Sequence, residues 1–227
     1  MLSAALFDFD GTLVDTTELI YQSLRHASRE VLGHEPTRET LMANVGQPLP
    51  QQMAALIETE TDNAAETDGL VEELLESYRT QNEELHEDLI EEFPGVEEAL
   101  ARLKEAGVKI AVVTSKRHKS VEMAIETFPG LDNVANHFVT MEDTNEHKPK
   151  PEPLFKGLEL LGDVPPEEAA YIGDSPHDID AAHAAGVTSV AVSWGAFPEK
   201  FLKEKQPDYL VPDIDSAVDI LLEKLVL

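Results

Sequence analysis

Apolar positions along the chain follow two alternating patterns. A short apolar run at 4–9 ends in Asp10-Gly11-Thr12. Comparable runs recur at 108–113, 169–172 and 189–194, with weaker ones at 137–140 and 209–211. Runs of this length bounded by turn residues read as buried strands. Between them the apolar spacing changes to i, i+3, i+4, i+7, as in Val96, Ala99, Leu100 and Leu103, and again in Val121, Ala124, Ile125 and Phe128. That spacing predicts helices with one buried face. Strands alternating with helices predict an α/β protein with a doubly wound parallel sheet, helices on both faces.

One region breaks the alternation. From 16 to about 86 only helical periodicity is present. Ile20, Leu24, Ala27 and Val31 form one stripe, and Val71, Leu74, Leu75 and Tyr78 another, with Gly46-Gln47-Pro48-Leu49-Pro50 as a loop between them. The expected organisation is an α/β core from 1–15 and 88–227, with a small all-helical cap domain, 16–87, inserted after the first strand. Glu91-Glu92-Phe93-Pro94-Gly95 reads as the return into the core, and the polar, acidic stretch 58–68 as an exposed loop or helix end.

Composition narrows the function classes. The 227 residues carry 45 Asp and Glu against 17 Lys and Arg, a formal net charge of −28. Such a chain has no general attraction for nucleic acid or anionic lipid. It holds no apolar run long enough to span a bilayer, and its start lacks a signal-peptide pattern. Cysteine is absent, which excludes disulfides, thiolate zinc sites and Cys nucleophiles. A cytoplasmic protein is expected. The first lysine is Lys104, so any cation in the helical insertion is an arginine or a histidine.

Ligands of open α/β sheets bind beyond the carboxyl ends of the strands, and the candidate chemistry lies there. The first strand runs into Asp8-Phe9-Asp10-Gly11-Thr12 and the second into Thr114-Ser115-Lys116. The weak strand leads towards Lys148-Pro149-Lys150-Pro151, and the next ends in Gly173-Asp174-Ser175-Pro176-His177-Asp178. Asp8 and Asp10 are two apart and share a face in extended chain. With Asp174 they make a carboxylate group that a hard cation would relieve, Mg²⁺ being the expected one. Thr114 and Ser115, where a strand meets a helix, suit a phosphate oxygen, although Ser115 also reads as a plain N-cap. Lys148 and Lys150 compete to neutralise a phosphoryl group. Asp178 stands three after Ser175, so it reads both as the acid of a capping box and as a residue near the metal. His177 lies beside these residues without a distinguishing feature.

These residues resemble the haloacid dehalogenase superfamily, and the resemblance covers the whole chain. Asp8-Phe9-Asp10-Gly11-Thr12 is similar to its first motif, Thr114-Ser115 to its second, Lys148 to its third and Gly173-Asp174…Asp178 to its fourth. The insertion matches a helical cap of the first type on a Rossmann-like core. The resemblance implies Asp8 as nucleophile forming an aspartyl-phosphate and Asp10 as acid and base. It implies Thr114, Ser115 and Lys148 on the phosphoryl group, and Mg²⁺ held by Asp8, the Asp10 carbonyl and Asp174, with Asp178 near it. Asp10 and Thr12 favour a phosphatase over dehalogenases and sugar mutases. Pro149, Pro151 and Pro153 favour Lys148 over Lys150 and point to the pyrophosphatase and phosphoglycolate phosphatase branch. A small anionic phosphate or pyrophosphate is the expected substrate, with Gly46 and Gln47 of the cap as specificity residues. A receiver-like signalling domain would put its phosphorylated aspartate on a middle strand and needs about half this length; a non-catalytic binding protein would not need all four motifs. The oligomeric state is not fixed by these residues.

Overall fold

Ala4 to Phe7, four consecutive buried apolar residues, form strand β1 (Ala4–Phe7) at the centre of a parallel sheet. The structure, a computed structural model, describes residues 2–60, 67–135 and 137–224. After β1 come a two-residue strand β2 (Val14–Asp15) and helices α1 (Thr17–Ala27), α2 (Arg38–Met42), α3 (Leu49–Glu60) and α4 (Thr67–Leu89). Then follow β3 (Glu91–Glu92), α5 (Val96–Glu105), β4 (Lys109–Val113), α6 (His118–Thr127), α7 (Gly130–Val134) and β5 (His137–Val139). The chain continues through α8 (Glu152–Leu160), β6 (Ala169–Gly173), α9 (Pro176–Ala185), β7 (Thr188–Val192), α10 (Glu199–Glu204), β8 (Tyr209–Val211) and α11 (Ile214–Glu223).

The six-stranded sheet has the order β5-β4-β1-β6-β7-β8, parallel throughout. Phe7 is level with Val112 on one side and Ile172 on the other. The strand order reverses at β1, and ligands of such sheets bind beyond the carboxyl ends of the strands at that point. Alternate residues face opposite ways. Ala4 and Leu6 pack with Ala111, Val113, Ala169 and Tyr171 against Leu154 and Leu158 of α8 and Ala181, Ala182 and Ala185 of α9. Ala5, Phe7, Ile110, Val112, Ala170 and Ile172 supply the other face and are equally buried. Helices α5 and α11 pack on each other and on the sheet strands β4, β7 and β8.

The chain divides into two compact units, Met1–Asp15 with Glu92–Leu227, and Thr16–Glu91. In the helical unit α1 packs on α4, and α4 on α3. The stripes become its core, with Ile20, Leu24, Ala27, Leu74, Leu75 and Tyr78 buried. Val31 and Val71 are only half-buried.

Several boundaries differ from the sequence expectation. The first strand stops at Phe7, not 9, because the chain turns there: the Phe9 carbonyl accepts from the N–H groups of Leu13 and Val14 at 3.0 and 3.1 Å. Leu49 and Pro50 belong to the first turn of α3 rather than to a loop, a position where proline lacks no needed donor. The second junction lies at Glu91/Glu92 instead of 88 because α4 runs on to Leu89. Part of the acidic stretch 58–68, namely 61–66, lies outside the described residues. No described helix is long and apolar enough to cross a membrane.

Candidate active site

Asp8 follows β1 directly, and its N–H extends the β1–β6 ladder to the Ile172 carbonyl at 2.8 Å. On one side β4 ends at Val113, directly before Thr114, and on the other β6 ends at Gly173, directly before Asp174. Asp8, Thr114, Lys148, Asp174 and Asp178 are therefore brought together, all of them buried. Carboxylate oxygens of Asp8, Asp174 and Asp178 lie within 4.8 Å of one another, a group that could hold a cation.

Lys148 sits among them, only 2 % exposed. Its Nζ is 2.9 Å from Asp8 Oδ1, 2.7 Å from Asp178 Oδ1 and 3.0 Å from the Tyr171 hydroxyl. An ammonium has three donors, so each has a partner. Lys150 is exposed, which separates the two lysines. The Tyr171 hydroxyl also lies 2.9 Å from the Val113 carbonyl, to which it donates. Tyr171 has no place in the sequence expectation. Its one available signal is a polar-tipped ring in an otherwise apolar strand, three residues before Asp174.

Asp178 has little acceptor capacity left. Its Oδ1 takes Lys148, and its Oδ2 takes the Ser175 N–H at 3.0 Å and the Ser175 hydroxyl at 2.7 Å. The capping box is real, and it aims the carboxylate at the lysine. Asp174 keeps more capacity: its Oδ2 accepts the Ala196 N–H at 2.7 Å. Gly11 makes this approach possible. Its φ is +75°, and a Cβ there would lie 2.3 Å from Asp174 Oδ2, so only glycine fits.

The electrostatics follow from burial. Asp8 is pushed up to about 7 by burial, with repulsion from Asp178 and Asp10 adding and Lys148 opposing. Burial, then Asp178 and Asp8, pushes Asp174 well above the usual carboxylate range. Burial by itself would lower Lys148, but Asp178 and Asp8 hold it above its ordinary value. Burial lowers the His177 imidazole. Buried carboxylates that repel one another in this way fit a divalent cation, which would relieve the repulsion. The donor set is all oxygen, the kind hard cations such as Mg²⁺ take.

Asp10 departs from the expectation. Its carboxylate is outside the three-acid group and instead meets Lys116, Oδ1 to Nζ 2.7 Å. Asp8 and Asp10 thus face different lysines, because the turn at Phe9 ends the extended geometry that would put them on one face. Ser115 is not an N-cap: α6 begins at His118 with Arg117 before it. The Thr114 hydroxyl accepts the Lys116 N–H at 3.1 Å.

Gly46 and Gln47 lie in the helical unit, in the turn between α2 and α3. Gln47 Nε2 is 3.4 Å from Asn44 Oδ1, and the Gln47 carbonyl accepts from Gln52 Nε2 at 2.7 Å. In the same unit Arg25 pairs with Glu35 at 2.8 Å, Arg29 reaches that carboxylate at 4.0 Å, and Arg38 pairs with Glu18 at 3.0 Å. A cleft of about 560 Å³ there is lined by Arg25, His26 and Arg29, with Glu30 opposing their charge.

A parallel sheet with a buried, acidic, lysine-centred cluster at its strand-order reversal, and a helical unit inserted after the first strand, defines a class. The chain belongs to the haloacid dehalogenase-like hydrolase family, whose model matches residues 5–192. Among curated proteins it is 40% identical over 220 residues to the "Putative pyrophosphatase PpaX" of Caldanaerobacter subterraneus subsp. tengcongensis, covering 97% of this chain and 94% of that one. It is 36% identical over 220 residues to the pyrophosphatase PpaX of Bacillus cereus, covering 97% and 96%. Among solved structures, a "predicted phosphoglycolate phosphatase" from Haemophilus somnus superposes with a TM-score of 0.84 at 25% identity, covering 96% of this chain and 97% of that one.

Proposed function

We propose that the protein is a Mg²⁺-dependent phosphohydrolase that works through an aspartyl-phosphate, with inorganic pyrophosphate as its preferred substrate. The observation that carries the reading is the buried group of Asp8, Asp174 and Asp178 around Lys148 at the end of the central strand. The relatives named pyrophosphatase favour pyrophosphate over a phosphomonoester such as phosphoglycolate. The acidity and the absence of cysteine suit a cytoplasmic setting and argue against nucleic acid or membrane partners.

Asp8 attacks phosphorus through the oxygen that Lys148 does not hold. Lys148 keeps that carboxylate oriented and offsets charge as the phosphoryl group transfers. Asp10 protonates the leaving oxygen, then takes a proton from the water that hydrolyses the acyl phosphate. Thr114 and Ser115 hold phosphoryl oxygens. Asp178, anchored by Ser175, fixes Lys148. Asp8, Asp174 and the Asp10 carbonyl would hold Mg²⁺, with Asp178 adjacent; the ion supplies charge neutralisation on the phosphoryl group. Gly46 and Gln47 are assigned to substrate choice. Parallel kinetics test the substrate: kcat/KM is expected to be at least about tenfold higher for pyrophosphate than for phosphoglycolate, about 1.4 kcal/mol of discrimination. A ratio of one or less rejects pyrophosphate.

The metal has its own test. Folding raises Asp8 from 3.8 to about 7, so between those values the cation-free native state binds more protons than the unfolded chain. The stability from this group is full below 3.8 and is lost as pH rises through 7. A cation that needs Asp8 ionised competes with that proton. The Mg²⁺-induced rise in melting temperature is therefore expected to be larger at pH 8 than at pH 6. Equal rises, or none, count against a metal at Asp8.

A further inference from the structure

Lys116 has no part in the mechanism above, yet it is one of two lysines meeting a candidate catalytic carboxylate. Its side chain is 9% exposed and its Nζ lies 2.7 Å from Asp10 Oδ1. Its backbone is held on both sides: the N–H donates to the Thr114 hydroxyl at 3.1 Å, and the carbonyl accepts from Met141 N–H at 3.0 Å. The two lysines differ in what they can still bind. Lys148 has spent all three donors on Asp8, Asp178 and Tyr171. Lys116 spends one on Asp10, so two N–H groups have no partner among the described residues. A sequestered ammonium with spare donors is ready for an anion.

Its position says which anion. The acid that protonates a leaving oxygen lies about 2.6–3.2 Å from it, and Lys116 is one hydrogen bond beyond that acid. The ammonium and the leaving oxygen would share one acid, which puts Lys116 no more than two hydrogen bonds from the leaving group. We propose that Lys116 binds the leaving group and selects substrates whose leaving group is itself an oxyanion, a second phosphate above all. This rests on the phosphohydrolase reading and deepens it. In the step concerned, the Asp8 carboxylate forms a bond to one phosphorus while the bond from that phosphorus to the bridging oxygen breaks. The Asp10 proton goes to the bridging oxygen, and the leaving hydrogenphosphate pairs with Lys116.

The test compares wild type, Lys116→Met and Lys116→Arg on pyrophosphate and on glycerol 2-phosphate, an ester whose leaving group is an alcohol without phosphate or carboxylate. For Lys116→Met, kcat/KM on pyrophosphate is expected to fall about 100-fold, the scale of one lost charged hydrogen bond in a closed site. The ratio of pyrophosphate to ester turnover falls at least about tenfold, and Lys116→Arg recovers most of that ratio. A residue that only holds Asp10 in place would lower both substrate types in parallel, because glycerol 2-phosphate also needs the acid. A parallel loss, or an unchanged ratio in Lys116→Met, overturns the proposal. If wild type releases no phosphate in an Asp8-dependent way, the phosphohydrolase reading fails first, an outcome distinct from an unchanged ratio. Thermal unfolding of both variants identifies loss by misfolding, and a folded Lys116→Arg that leaves pyrophosphate as disfavoured as in Lys116→Met also counts against it.

Discussion

Asp8→Asn is expected to lower Mg²⁺-dependent phosphate release at least about 1,000-fold, roughly 4 kcal/mol of transition-state stabilisation. The amide has the size of the carboxylate and can still accept from Lys148, so the lost quantity is chemical, the nucleophilic oxygen and its charge. The same change is expected to hold or raise the melting temperature of the metal-free protein above pH 7. Burial and the neighbouring Asp178 and Asp10 disfavour a charge at Asp8, and an uncharged amide removes that cost. Activity and stability should therefore move in opposite directions. Phosphate release measured beside a melting curve checks both, and full activity in the variant would sink the assignment of Asp8.

Lys148→Met is the complementary experiment and should lose both. Lys148 is the cation between Asp8 and Asp178, at 2.9 and 2.7 Å. Methionine fills much of the volume but leaves two buried carboxylates facing each other. Breaking a buried pair from one side costs about 3–5 kcal/mol, to be read from denaturant unfolding near pH 8. The cost should shrink towards pH 5, where a proton on Asp8 takes over part of the lysine's role. Phosphate release should fall at least about 100-fold because Asp8 loses its orientation and the phosphoryl group its counter-charge. A destabilisation below 1 kcal/mol at pH 8 would mean that the tripod at Lys148 is not what holds these carboxylates.

The capping box at Ser175 and Asp178 shows where sequence reading works and where it stops. The spacing and Pro176 predict the cap, and the cap forms. Spacing says nothing about the outer side of the Asp178 carboxylate, which takes Lys148 from a loop 30 residues away. Strand ends are similarly ambiguous. The run 4–9 has no apolar signal that it stops at Phe7, because Phe9 stays buried after the chain has turned. The return from the helical unit falls at Glu92, within the 91–95 stretch read as such, although the domain boundary set at 87/88 comes a few residues early because α4 runs on to Leu89.

The sequence by itself determined the α/β alternation, the helical insertion after the first strand, and the placing of Asp8 and Asp174 directly after strands. Local periodicity and turn chemistry encode these features, and they act over a few residues. Only the tertiary structure decided which partner each group takes. Lys148 is buried while Lys150 is exposed; Asp10 turns to Lys116, apart from the three-acid group; Tyr171 supplies a hydroxyl to the lysine; and Ala196 supplies an N–H to Asp174. Those pairings depend on the strand order β5-β4-β1-β6, which sets loops far apart in the chain side by side. Burial there strengthens each charge's demand for a partner, so the assembled sheet edge, more than any motif, determines which carboxylate meets which lysine.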